Sequence, residues 1–176
     1  MNDSEEIMLV GLDDEIIGSE TKIKVHEKGL LHRAFSVFII DNDKMLLQKR
    51  NINKYHSGGL WTNACCSHQR KNERLEEAVY RRMFEELGIR CELKELFTFI
   101  YRTQFENGLT EYELDHVYLG HYSGEVNPSP DEIEKVKWEN LDVLKKRVAD
   151  KPEQFTYWFR EALPKFLELL DNEICT

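Results

Sequence analysis

Short apolar runs separated by turn residues predict a chain that is built first from strands. The run from His32 to Ile40 is apolar and rich in aromatic and β-branched residues, which favour strands. Asp41-Asn42-Asp43 has turn chemistry, so residues 44–49 should complete a hairpin. Further strands are predicted at residues 7–10, 61–68, 91–101, 110–120 and 136–138, with a short one ending near residue 18. Residues 22–31 are mixed and predict neither a helix nor a strand.

The clearest predicted helix runs from Glu73 to Leu87. Asn72 is its predicted N-cap, and Gly88 lies just past its end, where glycine is common. Residues 141–148 and 155–170 also have amphipathic helical patterns. Strands, one helix, more strands and then helices indicate an α+β fold with a mixed, mainly antiparallel sheet.

Two charged residues share the apolar face of the first predicted helix. At 100° per residue, four positions lie within about 60° of one another, namely Leu75, Val79, Arg82 and Glu86. On an exposed face, an ion pair at i, i+4 would contribute only about 0.3–0.5 kcal/mol. A charge that faces the core needs a partner or a metal. We therefore expect Arg82 and Glu86 to face a site.

The 176 residues suit one domain, residues 1–176, which can bury a core without disulfides or a structural metal. Its 41% hydrophobic and 32% charged residues are typical of globular proteins. The net charge of -9 gives no general attraction to nucleic acid or anionic lipid, so an anionic ligand must be bound by a local cationic cluster. No apolar run approaches the roughly 18 residues of a membrane span. A monomer is the default expectation.

The four cysteines fit neither a disulfide framework nor a zinc site made of four thiolates. Cys65 and Cys66 are adjacent, whereas Cys91 and Cys175 are distant in sequence. Residues 1–6 are acidic and do not have the pattern of a secretory signal. These features predict a cytoplasmic location.

The segment WTNACCSH at residues 61–68 is the most informative stretch of the chain. As one strand, it would place Cys66 and His68 on the same face, with Cα atoms about 6.5–7 Å apart. A thiol and an imidazole at that spacing can serve one cavity. The alternative is that Cys66 is a small buried apolar residue and His68 an ordinary core histidine.

Strand alternation at residues 110–120 places Glu111, Glu113 and Asp115 on one face, which becomes apolar at Val117 and Leu119. Acidic strand ends are commonly just solvated. A carboxylate pair on a face that becomes apolar is instead typical of a site.

Imidazoles and carboxylates together offer ligands for a divalent ion. Three nitrogens and two or more oxygens suit five- or six-coordinate Zn²⁺, Mn²⁺ or Mg²⁺. No compact motif joins them, so spacing alone does not establish the set. We interpret His56, His116 and His121 as ordinary surface or core residues. The candidate ligands are His26, His32, His68, Glu111 and Glu113.

A second set of candidates is cationic and suits a diphosphate. Arginine forks and lysine point charges bind phosphate oxygens, and Mg²⁺ held by one carboxylate, here Glu86, usually bridges them. Each cation alone is an ordinary surface residue, so only their convergence would form a site. The candidates are Lys22, Arg50, Lys54 and Arg82.

Together these segments resemble the type I isopentenyl-diphosphate isomerase family over residues 22–158. The matching segments are HEKGLLHRAFSVFI from His26, WTNACCSH from Trp61, ERLEEAVYRRMFEELGI from Glu73, TEYELDHV from Thr110, and Trp158. The resemblance implies a Nudix-like α/β/α sandwich. It also implies an isomerase of isoprenoid biosynthesis that interconverts isopentenyl diphosphate and dimethylallyl diphosphate.

The helix at residues 73–87 resembles a degenerate Nudix box. A Nudix hydrolase would have Glu at Arg82, to bind catalytic Mg²⁺, and Gly at Ser67. The missing carboxylate favours an isomerase over the alternative, a Nudix-type diphosphohydrolase. A third possibility is a metal-stabilised domain without catalysis that binds a diphosphate or a partner protein.

The resemblance also implies roles for individual residues. Cys66 and Glu113 would flank the isoprenoid carbons as the acid/base pair. Tyr101 would support Glu113, and Trp158 would face the carbocation. The imidazole and carboxylate candidates would hold one divalent metal, Glu86 would hold Mg²⁺ on the substrate, and the four cations would contact the diphosphate.

Overall fold

The computed structural model describes residues 5–174, so Cys175 lies outside the described residues. Within that range the chain forms nine strands and four α-helices. The strands are β1 Glu6–Val10, β2 Ile16–Thr21, β3 His32–Asp41, β4 Lys44–Arg50, β5 Trp61–Thr62, β6 Cys65–His68, β7 Leu93–Gln104, β8 Thr110–His121 and β9 Ile133–Asn140. The helices are α1 Lys22–Lys28, α2 Leu75–Leu87, α3 Leu141–Asp150 and α4 Tyr157–Ile174, and a short 3₁₀ turn spans Pro152–Gln154.

Strand β3 organises the sheet. It pairs in parallel with β8, so that His32 lies opposite Glu113, and antiparallel with β1, β4 and β6. The remaining strand pairs, β1 with β2, β4 with β5 and β9, and β7 with β8, are antiparallel. The predicted mixed, mainly antiparallel sheet is therefore confirmed.

Strands β3 and β4 separate soon after the turn that joins them. They pair only at Ile40–Met45 and Asp41–Lys44. Farther from the turn, β4 pairs with β5 and β9, while β3 pairs with β6. The gap between the two strands is where Cys66 and His68 enter the interior.

Apolar residues cover both faces of the sheet. On one face, Phe38 and Val117 belong to a core with residues of α4, including Phe159 and Phe166. On the other face, Phe35, Val37 and Ile39 pack with Val79, Met83 and Leu87 of α2. The alternation of β3 thus supplies both cores, and the predicted α/β/α sandwich is confirmed.

The first helix boundary differs from the prediction. Helix α2 begins after Arg74, whose backbone N–H donates to Glu77 Oε2 at 3.1 Å. Asn72 is not the N-cap, because it adopts a left-handed conformation with φ of 65° two residues before that position. Gly88 does end the helix, with φ of 68°.

One predicted strand needs correction, and one segment without a predicted structure forms a helix. Residues 61–68 form two short strands, not one. The Asn63 side chain donates to the backbone carbonyls of Val37 at 3.1 Å and Cys65 at 2.7 Å. These side-chain bonds take the place of the backbone bonds between strands that one continuous strand would form. Residues 22–28 form a helix that buries His26 and ends at Gly29 in the left-handed region. Among the described residues, no helix combines the length and apolar character that a membrane crossing needs.

Replacing Phe159 with Ala should strongly destabilise the fold. The ring is fully buried and stacks on Phe38 and Phe155. Removing a buried Phe side chain leaves a cavity and typically costs about 3–5 kcal/mol. Urea unfolding should show this loss in the free energy of unfolding.

The matched control is Phe84→Ala, because Phe84 is 49% exposed and contacts the Arg90 guanidinium. It should lose no more than about 1 kcal/mol, the strength of an exposed cation–π contact. Equal losses for the two variants would contradict the packing described here.

Candidate active site

Four buried side chains bring their metal-binding atoms together at the base of β3. His26 comes from α1, His32 from β3, His68 from β6 and Glu113 from β8, and one donor atom of each lies within 4.8 Å of the others. We call these four residues the imidazole cluster. Their donor set of three nitrogens and a carboxylate oxygen suits a divalent metal ion. The site therefore has a buried group that can hold such an ion.

Hydrogen bonds orient the imidazoles of this cluster. His26 Nδ1 lies 2.7 Å from the Lys22 carbonyl, and His32 Nδ1 lies 2.9 Å from the Leu30 carbonyl. A carbonyl only accepts, so each Nδ1 carries the proton and each Nε2 is left to face the cluster. Burial lowers the pKa of His26 to about 3 and that of His68 well below its ordinary value. The rings of His26 and His68 are therefore neutral, as metal ligands must be.

Tyr101 holds the two carboxylates of β8. Its hydroxyl lies 2.6 Å from Glu113 Oε2 and 3.1 Å from Glu111 Oε2. The other oxygen of Glu113, Oε1, lies 2.9 Å from His68 Nε2 and 3.3 Å from His32 Nε2. One oxygen of the Glu113 carboxylate is thus fixed by the phenol, and the other points into the imidazole cluster.

The two carboxylates differ in charge. Burial raises the pKa of Glu111 to about 8, and the neighbouring Glu113 adds to the effect. Burial acts on Glu113 in the same direction, but the neighbouring His32 and His68 outweigh it and keep the pKa of Glu113 well below its ordinary value. In the absence of metal the charge of the pair therefore lies on Glu113.

Glu111 is not in the imidazole cluster. Its donor atom groups instead with those of His26 and His56. Four of the five predicted metal ligands are therefore in one group, and the fifth is in an adjacent group that shares His26.

Next to the cluster lies a cavity of about 50 Å³. The Cys66 thiol faces it, with its Sγ 3.8 Å from Arg50 Nη1. Burial raises the pKa of Cys66 to about 12, although the Arg50 charge opposes the rise. Trp158 closes the same region, its ring 5.2 Å from the Arg50 guanidinium. The cavity thus has a thiol and a carboxylate, Glu113, along its wall.

The four predicted cations all line this cavity. Burial lowers the pKa of Lys22 to about 8, and repulsion from Lys54 adds to the effect. Lys54 is hydrogen-bonded to Glu132, and Arg82 Nη2 lies 2.5 Å from Glu86 Oε1. The predicted pair on the buried face of α2 therefore does face the site.

Glu86 lies apart from the imidazole cluster. Its second oxygen accepts a hydrogen bond from Gln48 Nε2 at 3.1 Å, and it lines the cavity among the cations. Eleven of the thirteen predicted site residues line the cavity. The other two, His26 and His32, lie behind its wall in the imidazole cluster, together with the cavity residues His68 and Glu113.

The structure adds residues that the sequence analysis missed. His56, predicted to be an ordinary surface or core residue, is buried, and its Nε2 lies 2.8 Å from Glu111 Oε1 in a second group of possible metal ligands. The one signal for it is the aromatic pair Tyr55-His56 in an otherwise polar loop. Gln48 gave no signal, because one glutamine within a strand does not by itself indicate a site.

Comparison with known proteins identifies the fold class first. The sequence model of the NUDIX domain family matches residues 30–159. A NUDIX hydrolase structure from Burkholderia pseudomallei is 30% identical with a TM-score of 0.61, and the match covers 76% of this chain and 96% of that one. A structure of a Deinococcus radiodurans protein, 20% identical, has a TM-score of 0.76 and covers 92% of this chain and 98% of that chain. The chain belongs to the NUDIX family.

Its sequence relatives define the group within that family. Isopentenyl-diphosphate Delta-isomerase 2 of Aromatoleum aromaticum is 43% identical over 93% of this chain and 87% of its own length. Isopentenyl-diphosphate Delta-isomerase of Burkholderia multivorans is 46% identical over 88% of this chain and 89% of its own. The chain therefore belongs to the isopentenyl-diphosphate Delta-isomerase family, as its motifs indicated.

Tyr101→Phe should weaken metal binding while the fold is retained. The ring still packs, but Glu111 and Glu113 lose the donor that orients them, and the loss of such an outer hydrogen bond typically costs about 10–100-fold in metal affinity. Titration calorimetry of metal-free protein with Zn²⁺ or Mn²⁺ measures the change. Tyr118→Phe removes a hydroxyl that contacts only Glu95 among the described residues, and should leave the affinity unchanged. Equal affinities in both variants would disprove the role of Tyr101.

Proposed function

We propose that this protein interconverts isopentenyl diphosphate and dimethylallyl diphosphate. The observation that carries the proposal is the cavity itself. It has a thiol and a carboxylate, Cys66 and Glu113, on its wall and four cationic side chains around it. That combination suits proton transfer on a small organic diphosphate. The membership of the isomerase family supports the same activity.

The reaction moves one double bond and is balanced in protons. Addition of a proton to the terminal alkene carbon gives a tertiary carbocation. Removal of a proton from the carbon next to the CH₂O group then forms the new double bond. We assign these two transfers to Cys66 and Glu113, one residue donating and the other accepting. An unactivated alkene is a very weak base, so the acid must be strong and water must be excluded.

The same residues explain how the intermediate would be stabilised. Trp158 is only 3% exposed, and its ring faces the cavity. An aromatic face stabilises a nearby cation by about 0.5–2 kcal/mol. The surrounding burial of Tyr101, Glu113 and Trp158 keeps water away from a carbocation that water would trap.

We infer that one divalent ion, Zn²⁺, Mn²⁺ or Mg²⁺, is held by His26, His32, His68, Glu111 and Glu113. When bound, such an ion makes a coordinated carboxyl group a stronger acid. Glu86 is suited to a second ion, Mg²⁺, on the diphosphate, because it lies among the cations and apart from the imidazole cluster. Lys22, Arg50, Lys54 and Arg82 would contact the phosphate oxygens.

A diphosphohydrolase is the competing function, since other NUDIX proteins are hydrolases by name. Arg82 stands where the hydrolase pattern has a metal-binding Glu, and it pairs with Glu86 and Glu132. An arginine cannot bind a metal ion, so this position favours the isomerase. The free thiols Cys65, Cys66 and Cys91 suit a reducing compartment, and we propose a cytoplasmic enzyme. A monomer stays a prediction from the sequence.

The test of function is NMR of isopentenyl diphosphate incubated with metal-loaded protein and Mg²⁺ in D₂O. Dimethylallyl diphosphate that carries deuterium should form. Cys66→Ala should lower the rate by about 10²–10⁴-fold, because one of the two proton-transfer groups is lost. Cys91→Ala removes a half-exposed thiol outside the cavity and should keep the wild-type rate.

Unchanged substrate with metal-loaded wild-type protein would disprove the isomerase. Release of inorganic phosphate, seen by phosphorus NMR of the same sample, would establish the hydrolase instead. Full binding of the diphosphate without turnover would favour the domain that binds without catalysis.

Lys54→Ala should raise the KM for isopentenyl diphosphate. The lysine lines the cavity, and a hydrogen bond to a charged group contributes about 1.5–3 kcal/mol, which corresponds to about 10–100-fold in affinity. Steady-state kinetics measures the shift. Lys49→Ala is the matched control, because Lys49 makes a similar ion pair with Glu134 outside the cavity. A KM that rises equally in both variants would disprove the contact with the diphosphate.

A further inference from the structure

His56 is a buried imidazole to which the proposed reaction gives no role. It lies in the loop between β4 and β5, and it is 6% exposed. Its ring stacks on Phe105, with centroids 4.4 Å apart and planes 9° apart, and Tyr55 meets it edge-on at 4.2 Å. These rings fix the plane of His56 and direct its Nε2 toward Glu111.

The contact between His56 and Glu111 is close but is not an aligned hydrogen bond. Nε2 of His56 lies 2.8 Å from Glu111 Oε1. Even so, this buried nitrogen makes no hydrogen bond of acceptable geometry among the described residues, and neither do His26 Nε2 and His32 Nε2. His56 thus resembles His26 and His32 of the imidazole cluster. Each has a buried Nε2 that faces a carboxylate or an imidazole but makes no hydrogen bond with it.

The distance fits two ligands of one ion. Nitrogen and oxygen atoms each about 2.0–2.2 Å from a metal, at right angles, lie about 3 Å apart. His56 Nε2 and Glu111 Oε1 are 2.8 Å apart, and the corresponding pair in the imidazole cluster, His68 Nε2 and Glu113 Oε1, is 2.9 Å apart. The donor atoms of His26, His56 and Glu111 all lie within 4.8 Å of one another.

The second nitrogen of His56 also has a partner. Nδ1 lies 3.2 Å from Ser57 Oγ, which can accept its proton. His26 and His32 have their Nδ1 atoms bound in the same way, by backbone carbonyls. A proton held on Nδ1 leaves the lone pair of Nε2 for a metal.

We propose that His56 is a ligand of the divalent ion in this protein and binds through Nε2 beside Glu111 and His26. This inference rests on the metal site of the proposed function and adds a fourth imidazole to it. Imidazole suits Zn²⁺ and similar transition-metal ions, whereas Mg²⁺ prefers oxygen ligands. A donor set with four imidazoles thus selects a transition-metal ion over Mg²⁺ at this position.

Ligation can be read directly by NMR of protein labelled with ¹⁵N in its histidines and loaded with ¹¹³Cd²⁺, a spin-active substitute for Zn²⁺. Each nitrogen bound to cadmium is split by coupling to the metal. The Nε2 resonances of His26, His32, His68 and His56 should all be split. In His56→Gln one split resonance should disappear while the other three persist. His121→Gln, which removes an exposed histidine, should leave every split resonance in place.

An unsplit His56 Nε2 alongside split resonances of the other three residues would overturn the proposal, and His56 would then only hydrogen-bond to Glu111. The wild-type spectrum decides this even if His56→Gln fails to fold. Absence of splitting at every histidine would overturn the metal site as well. Isomerisation is measured separately in D₂O, so a failure of the proposed activity is distinguishable from a failure of the ligand assignment.

Discussion

Glu113 carries a charge inside the protein, and side chains from several neighbouring strands stabilise that charge. A buried carboxylate without partners is costly, so ionisation requires hydrogen-bond donors close to it. His68 supplies one from β6 and the Tyr101 hydroxyl another from β7, while His32 Nε2 of the parallel neighbour strand lies 3.3 Å from the same carboxylate. These donors come from segments far apart in sequence. The sheet order that brings β3, β6, β7 and β8 together is therefore a condition for the site.

Burial acts in opposite directions on the two members of the proposed acid/base pair. Burial of Cys66 favours the neutral thiol, and the neighbouring Arg50 charge does not overcome this. Glu113 is equally enclosed, but its hydrogen-bond donors favour the ionised form. One group thus holds a proton and the other does not, within one cavity. The proposed reaction adds one proton and removes another, so it needs one protonated group and one ionised group in the same cavity.

Local periodicity was enough to predict part of this site. The alternation of β8 placed Glu111 and Glu113 on one face, and the helical spacing of α2 placed Arg82 and Glu86 toward the core, because both patterns depend only on the geometry of a single element. The parallel pairing of β3 with β8 and the separation of β3 from β4 depend on contacts between distant segments. The sequence does not encode these contacts in any periodic form. His56 was missed for that reason, since its burial arises from Phe105, which is far away in the chain.

Helix α2 shows how one scaffold can support a different chemistry. Glu73 binds Arg81 through two hydrogen bonds of 2.5 and 3.0 Å, and this pair joins the loop before the helix to its middle. The pair lies in the helix that resembles a degenerate Nudix box, so this ion pair stabilises the scaffold of that motif. The next position is Arg82, and its positive charge replaces the carboxylate that a hydrolase uses for metal. Under the proposed function, the charge at the helix would change from one that binds a metal to one that binds phosphate oxygens directly. The imidazole cluster would provide a metal-binding group beside Cys66 and Glu113.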